Sequence, residues 1–174
     1  MVIEHQTRTT NLITRAGWET RKALNYRETM TKALGELSPE TAASTERRIK
    51  SACESLLEAL LFAEETKLTA PVRGTSGFAE SFAKRGPFDS QGRSLRQFDL
   101  QTRMFRYPCS FLIYSEAFDN LPPEALSYVY RRLLEVLNGK DTSPIFAHLN
   151  TADRKAIREI LLATKSNLPK DWRE

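Results

Sequence analysis

Residues 38–61 contain the pattern that most constrains how this chain can fold. Ser38, Pro39 and Glu40 supply an N-cap, a first-turn proline and a first-turn acid, the order in which a helix begins. Apolar residues then recur at three- and four-residue steps, the spacing of one helix face. They are Ile49, Ala52, Cys53, Leu56, Leu57, Leu60 and Leu61. The segment is therefore predicted to be an amphipathic helix that packs in a core.

Three other segments also show helical spacing. A first helix is predicted from the amino end to about Tyr26, with His5 on its inward stripe. A second is predicted over residues 125–137, and a third over residues 150–164 with Asn150 as its N-cap. Each of them needs a partner surface for its apolar stripe, which favours a helical bundle.

The middle of the chain combines breakers with a long apolar stretch. Six glycines and prolines lie between residues 69 and 93, which indicates an irregular connection, interrupted by one short helix over residues 77–84. Ser94 is then predicted to cap a central helix that reaches Phe118. This helix would have two apolar faces and would pack against other elements on several sides. Pro108 falls inside it and should kink it, because its ring clashes with the preceding turn.

Length and composition complete the predicted fold class. The 174 residues, 40% hydrophobic and 28% charged, suit one globular domain spanning residues 1–174. No alternating strand pattern competes with the helices. We expect an all-α protein: an irregular helical bundle of about five main helices with a central kinked helix.

Charge and hydropathy narrow the function classes. The net charge is +4, but acidic and basic residues are interspersed, which does not indicate nucleic-acid binding. No apolar run reaches the eighteen or so residues of a membrane span. With only two cysteines, the chain can build neither a disulfide framework nor a zinc site made of thiols.

Cys109, just after Pro108, is a candidate nucleophile. Tyr107 and Tyr114 could serve as its partners, but no histidine is near it in sequence to lower its pKa. Because unpaired cysteines are among the most commonly buried residues, a packing role in the core is the favoured interpretation.

The glycine-flanked loop over residues 86–94 resembles a phosphate-binding loop only superficially. Five residues separate its glycines, Arg93 replaces the lysine, and no strand precedes it. A weaker anion site formed by Arg85, Arg93 and the start of the predicted helix is the alternative to a solvated loop capped by Ser94, which is favoured.

Five arginines are candidates for a basic surface: Arg96, Arg103, Arg106, Arg131 and Arg132. They do not alternate with exposed aromatic residues as in a known recognition module. Asp99 precedes Arg103 by four residues, a spacing that stabilises a helix. Ordinary ion pairing is therefore the favoured interpretation.

The two histidines, His5 and His148, are the remaining candidates for chemistry. Neither belongs to a metal-binding motif, so no metal site and no catalytic residue are predicted. His5, next to Glu4, could ligate haem iron, with His148 or Met104 opposite it. The alternatives are a pair with a carboxylate or a hydrogen-bonded core residue, which is the commonest case.

Several spans carry a resemblance, among them EHQTRTTNLITRAGWETR, residues 72–123, VYRRLLEVLNGK and LNTADRKAIREILLATKSNLP. Together they resemble the C-terminal region of a family of larger, uncharacterised exported bacterial proteins whose upstream half carries a CxxCH haem-attachment motif. This chain lacks that motif. The resemblance implies a C-terminal part of a longer protein, a periplasmic or exported location, and a cytochrome c-like domain as partner; it names no catalytic residue.

The sequence therefore predicts a non-catalytic helical interaction or structural module associated with a c-type cytochrome. A homodimer is a further partner to consider, whereas nucleic acid is not expected. The first alternative is a redox domain that binds haem or a metal noncovalently through His5. The second is an enzyme with Cys109 as nucleophile.

Overall fold

The structure is a computed structural model that describes residues 1–63 and 65–173. Within these residues it contains six α-helices and no β-strand, only an isolated bridge between Phe98 and Phe105. The helices are α1 (Val2–Leu34), α2 (Pro39–Leu60), α3 (Phe78–Ala83), α4 (Glu116–Asp119), α5 (Pro123–Leu137) and α6 (Thr151–Thr164). Three short 3₁₀ turns cover Phe111–Tyr114, Pro144–Phe146 and Lys170–Trp172. The all-α class is confirmed.

The helices α1 and α2 pack along each other and form the framework of the fold. Gly35, in the left-handed conformation at φ 78°, ends α1 and donates its N–H to the carbonyl of Thr31. Ser38 begins α2 as predicted, because its Oγ accepts a hydrogen bond from the N–H of Thr41 at 3.2 Å. The connection is only four residues long, so the two helices run antiparallel.

The first helix is longer than predicted, since it ends at Leu34 instead of about Tyr26. No glycine or proline occurs between Tyr26 and Gly35. The added turns expose their polar side chains, and Lys32 pairs with Glu28 four residues earlier at 2.5 Å. Ion pairing between side chains four residues apart therefore helps to stabilise the part of α1 that lies beyond its apolar stripe.

The helices α5 and α6 agree with their predicted positions. α5 packs against α2, and α6 packs against α5. Asn150 caps α6, because its Oδ1 accepts a hydrogen bond from the N–H of Asp153 at 2.8 Å. The short helix predicted over residues 77–84 is also present, as α3.

The predicted central helix with a kink at Pro108 is wrong, because residues 94–110 are not helical. Asp99 folds the chain back: its carboxylate accepts hydrogen bonds from the N–H of Gln101 at 3.2 Å and from the hydroxyl of Thr102 at 2.7 Å. Leu100 adopts the left-handed region at φ 58°. An aspartate that bonds its own backbone two residues on offers the chain an alternative to the helix.

The N-cap predicted at Ser94 is wrong for the same reason. Its Oγ accepts a hydrogen bond from the N–H of Arg96 at 3.2 Å, a local turn that no helix follows. Helical structure returns only at the 3₁₀ turn Phe111–Tyr114 and in α4. The segment over residues 94–110 is called the folded loop below.

The core surrounds the carboxyl half of α2. Leu56, Leu57, Leu60 and Leu61 are completely buried, and the folded loop contributes the buried Leu95, Met104 and Phe105. The folded loop is attached to α2 by the N–H of Ser110, which donates to the carbonyl of Leu60 at 2.7 Å. The irregular middle of the chain thus closes the end of the bundle. No helix among the described residues has the length and apolar character needed to cross a membrane.

Leu57→Ala should lower the free energy of unfolding by about 2 to 5 kcal/mol, because it leaves a cavity at a completely buried site. Leu34→Ala is the matched control, since Leu34 is 60% exposed at the end of α1 and should change stability by no more than about 0.5 kcal/mol. Urea unfolding followed by circular dichroism measures both variants. Equal effects of the two substitutions would contradict the described core.

Candidate functional site

His5 lies near the amino end of α1 and is held from two sides. Its Nε2 is 2.7 Å from the hydroxyl oxygen of Ser110, and its ring stacks on Phe62 with centroids 4.2 Å apart. Phe62 adopts φ 55°, a left-handed conformation that is uncommon for a bulky residue. The end of α2 and the folded loop therefore fix the imidazole together.

Ser110 is completely buried and its hydroxyl has two contacts. The Oγ accepts a hydrogen bond from the N–H of Leu112 at 3.3 Å, which caps the following 3₁₀ turn, and it also contacts His5. This arrangement occupies Nε2 of His5 and leaves Nδ1 as the ring nitrogen for any ligand. Although the pair has the spacing of a serine–histidine dyad, its hydroxyl is not exposed to a substrate.

Burial lowers the pKa of His5 to about 4, and the positive charge of Arg8 adds to the effect. The imidazole is therefore neutral at physiological pH. Neutral imidazole is the form that accepts a hydrogen bond or ligates a metal. His5 is therefore in the protonation state that can ligate a metal, and it adds no positive charge to the site.

A cleft of about 300 Å³ opens beside His5, and we call it the His5 cleft. Three carboxylates line it, those of Glu4, Glu58 and Glu65, and Phe62 and Met104 provide its apolar wall. Burial raises the pKa of Glu65, although its Oε1 accepts a hydrogen bond from the N–H of Met104 at 2.9 Å. A half-buried carboxyl and a neutral imidazole in one cleft are typical of binding sites.

A second cavity of about 170 Å³ adjoins the His5 cleft, with Met1 and Met104 lining both. Its walls are mostly apolar: Val72, Phe78, Phe98 and Leu100 face it. We call it the apolar groove. Met1, Val72 and Phe78 are 54%, 39% and 47% exposed, so large apolar side chains meet solvent along one groove.

The structure brings together only part of the ligand set predicted for His5. Met104 lines the same cleft as His5. His148 does not line it, and its Nε2 is 2.7 Å from the carbonyl oxygen of Leu61. Among residues 1–63 and 65–173, no group of three or more His, Cys, Asp and Glu side chains has the arrangement of a metal site.

Cys109 lies in the core, as its packing interpretation predicted. It is completely buried, and burial raises the pKa of its thiol to about 12. The hydroxyl of Tyr114, one of its predicted partners, is hydrogen-bonded to the hydroxyl of Thr164 at 2.6 Å, and burial raises its pKa. Cys53 is equally buried, and both cysteines are free. A thiolate nucleophile is not favoured at either position.

Most of the candidate arginines are ion-paired, as predicted. Arg103 forms a two-pronged pair with Asp153, at 2.8 and 2.7 Å, so its partner is this distant residue and not Asp99. Arg132 pairs with three carboxylates, those of Glu54, Glu135 and Asp141. Arg131 shares Glu135. These charges hold elements of the fold together and do not form a basic surface.

No protein-family model matches this chain, and the comparisons with curated proteins and with solved structures found no match either. The candidate site is therefore defined by its own geometry.

Sequence reasoning located His5 but missed Ser110, Phe62 and Glu65. Ser110 is 105 positions away from His5, and no local pattern connects the two. The sequence does not reveal the apolar groove, because the apolar spacing predicts a helix across its walls Phe98 and Leu100. Only the cluster of breakers after residue 69 indicated that irregular backbone would lie nearby.

His5 should titrate near pH 4 in the folded protein, which NMR of its ring protons measures directly. Because the folded pKa is below the ordinary value of 6.5, the unfolded chain binds the proton more readily between these values. The contribution of neutral His5 to stability is therefore complete above pH 6.5 and is lost as the pH falls towards 4. Stability measured for His5→Gln isolates this contribution from that of Glu65.

The wild type should lose more stability than His5→Gln between these two pH values. A folded-state pKa near 6.5, with the same pH dependence in both proteins, would contradict the described environment of His5.

Proposed function

We propose that this chain is a non-catalytic helical interaction module that docks a c-type cytochrome unit through the apolar groove. The observation that carries the proposal is the exposure of Met1, Val72 and Phe78 along one groove. Contiguous exposed apolar surface is characteristic of protein contact sites. Aromatic and methionine side chains are also enriched in such contacts.

The candidate catalytic groups support a non-catalytic role. Cys109 is buried with a raised thiol pKa, and the hydroxyl of Ser110 is buried beneath His5. A nucleophile must reach a bound substrate within hydrogen-bonding geometry of its base. Neither arrangement supplies that access.

The cytochrome partner comes from the family resemblance of the sequence. The apolar groove lies beside the first residues of α1, where Met1 and Val2 line it. A cytochrome-like domain on the amino-terminal side of α1 would be close to this surface. A partner that covers the groove would remove Met1, Val72 and Phe78 from water, which favours association.

A photo-crosslinking residue, p-benzoylphenylalanine, placed at position 78 should capture this partner in cells of the source organism. The crosslinked product should stain for covalently bound haem on a denaturing gel. Position 88 is the matched control, because Phe88 is also 47% exposed but does not line the apolar groove.

Two results would contradict the cytochrome proposal. One is a position-78 product of twice the chain mass without haem, which indicates a homodimer. The other is the same set of products from positions 78 and 88.

The second candidate function is noncovalent haem binding through His5. The observation that favours it is that His5 and Met104 line one cleft, since histidine and methionine are a known pair of haem ligands. Neutral His5 is ready to ligate, although Nε2 is occupied by Ser110 and only Nδ1 is left. Ligation through Nε2 would therefore require the contact with Ser110 to break.

Under this second candidate, haemin added to the purified protein should give a Soret band that shifts on reduction and disappears in His5→Ala. His148→Ala is the matched control and should keep the band, because His148 does not line the His5 cleft. Absorption spectra of the oxidised and reduced proteins measure the outcome. A band that persists in His5→Ala, or a wild-type spectrum identical to free haemin, rules this candidate out.

A further inference from the structure

Arg96 occupies an unusual environment in the folded loop. Its guanidinium carbon lies 4.5 Å from the ring centroid of Phe111 and 5.2 Å from that of Phe82, and its Nε donates to the carbonyl of Gly86 at 2.8 Å. The aromatic rings and the carbonyl orient the side chain. They do not neutralise its charge.

A second arginine approaches the same aromatic ring. The guanidinium carbon of Arg85 lies 6.0 Å from the centroid of Phe82. Burial lowers the pKa of Arg96, and the positive charge of Arg85 lowers it further, so the two cations repel each other. Two like charges that meet at one ring without an anion raise the energy of the fold.

No carboxylate in the described part of the chain forms an ion pair with either arginine. The acidic residue of the neighbouring loop, Asp89, is already bound to Arg93 at 2.6 Å, and Glu159 also pairs with Arg93 at 2.8 Å. Asp89 accepts two backbone hydrogen bonds as well, from Gln91 and Arg93. Asp89 and Glu159 are therefore engaged by Arg93.

The terminal nitrogens of Arg96 are the unused donors. Its Nε is bonded to Gly86, and no acceptor among residues 1–63 and 65–173 bonds its two Nη atoms. Both Nη atoms are accessible to solvent, because neither is among the buried side-chain atoms that lack a hydrogen-bond partner. A guanidinium held by its Nε, with its outer edge open, is suited to two-pronged binding of an oxyanion.

We propose that Arg85 and Arg96 form a binding site for a phosphate dianion, either inorganic phosphate or the phosphate of a monoester. Two guanidiniums match the charge of about −1.5 to −2 that such a group carries near neutral pH. Arg96 supplies a fixed fork, and the exposed Arg85 supplies the second charge. This site does not depend on the function proposed for the apolar groove.

The test is a titration with inorganic phosphate at about pH 8, where most of the phosphate is the dianion. Sodium chloride keeps the ionic strength constant, so that general screening does not change. NMR follows the Nε–H signal of Arg96 and the surrounding amides. These signals should shift saturably, and acetate, a monoanion, should shift them less at equal concentration.

Variants separate a site from a general charge effect. Arg85→Gln should weaken phosphate binding by about tenfold or more, because one of the two charges is lost. Arg96→Lys keeps the charge but loses the planar fork and should also weaken binding, with an unchanged amide spectrum elsewhere showing that the fold is intact. Arg131→Gln is the matched control, since Arg131 lies 5.0 Å over Tyr128 but is already paired with Glu135.

Glycerol 3-phosphate distinguishes the two sources of the dianion. Binding at least as tight as that of inorganic phosphate supports a monoester ligand, and weaker binding supports the free anion. The proposal is overturned if phosphate causes no saturable shift. It is equally overturned if Arg85→Gln binds like the wild type, or if Arg131→Gln weakens binding as much as Arg85→Gln.

Discussion

The burial of the carboxyl half of α2 is the constraint on which the rest of this structure depends. Leu56, Leu57, Leu60 and Leu61 are completely removed from water, although they face more than one direction around the helix end. The helices α1 and α5 cover part of this surface. The remaining part needs a cover that a straight helix does not provide, and the folded loop supplies it through the bond from Ser110 to Leu60.

The sequence predicted the helices whose ends carry their own signals, and it failed where the deciding contacts are distant. Ser38 and Asn150 cap α2 and α6 as expected, because a cap acts within one turn. The apolar residues after Ser94 have helical spacing, but Asp99 closes a local turn. The rings of Phe98 and Phe105 pack on Phe82 and Phe62, which belong to other elements. The spacing of apolar residues predicts which residues are buried more reliably than it predicts the backbone conformation in which they are buried.

In the candidate site, too, the sequence predicted what depends on local pattern and missed what depends on distant contacts. His5 could be selected from its position on an inward stripe, and Cys109 could be assigned to packing from its apolar surroundings. The stacking of His5 on Phe62 and its contact with Ser110 depend on two other elements, so no pattern within α1 contains them. The lowered pKa of His5 is equally a property of the assembled fold, because burial is its main cause.

In the described part of the chain, two residues other than glycine have positive φ angles, Phe62 and Leu100. Phe62 lines the His5 cleft, and Leu100 lines the apolar groove. A left-handed conformation costs an ordinary L-residue roughly 1 to 2 kcal/mol, so it persists only where surrounding contacts hold it. Here the two residues stand where α2 ends and where the folded loop turns back. A regular helix across either point would remove a wall of its cavity, which ties both cavities to these irregular backbone positions.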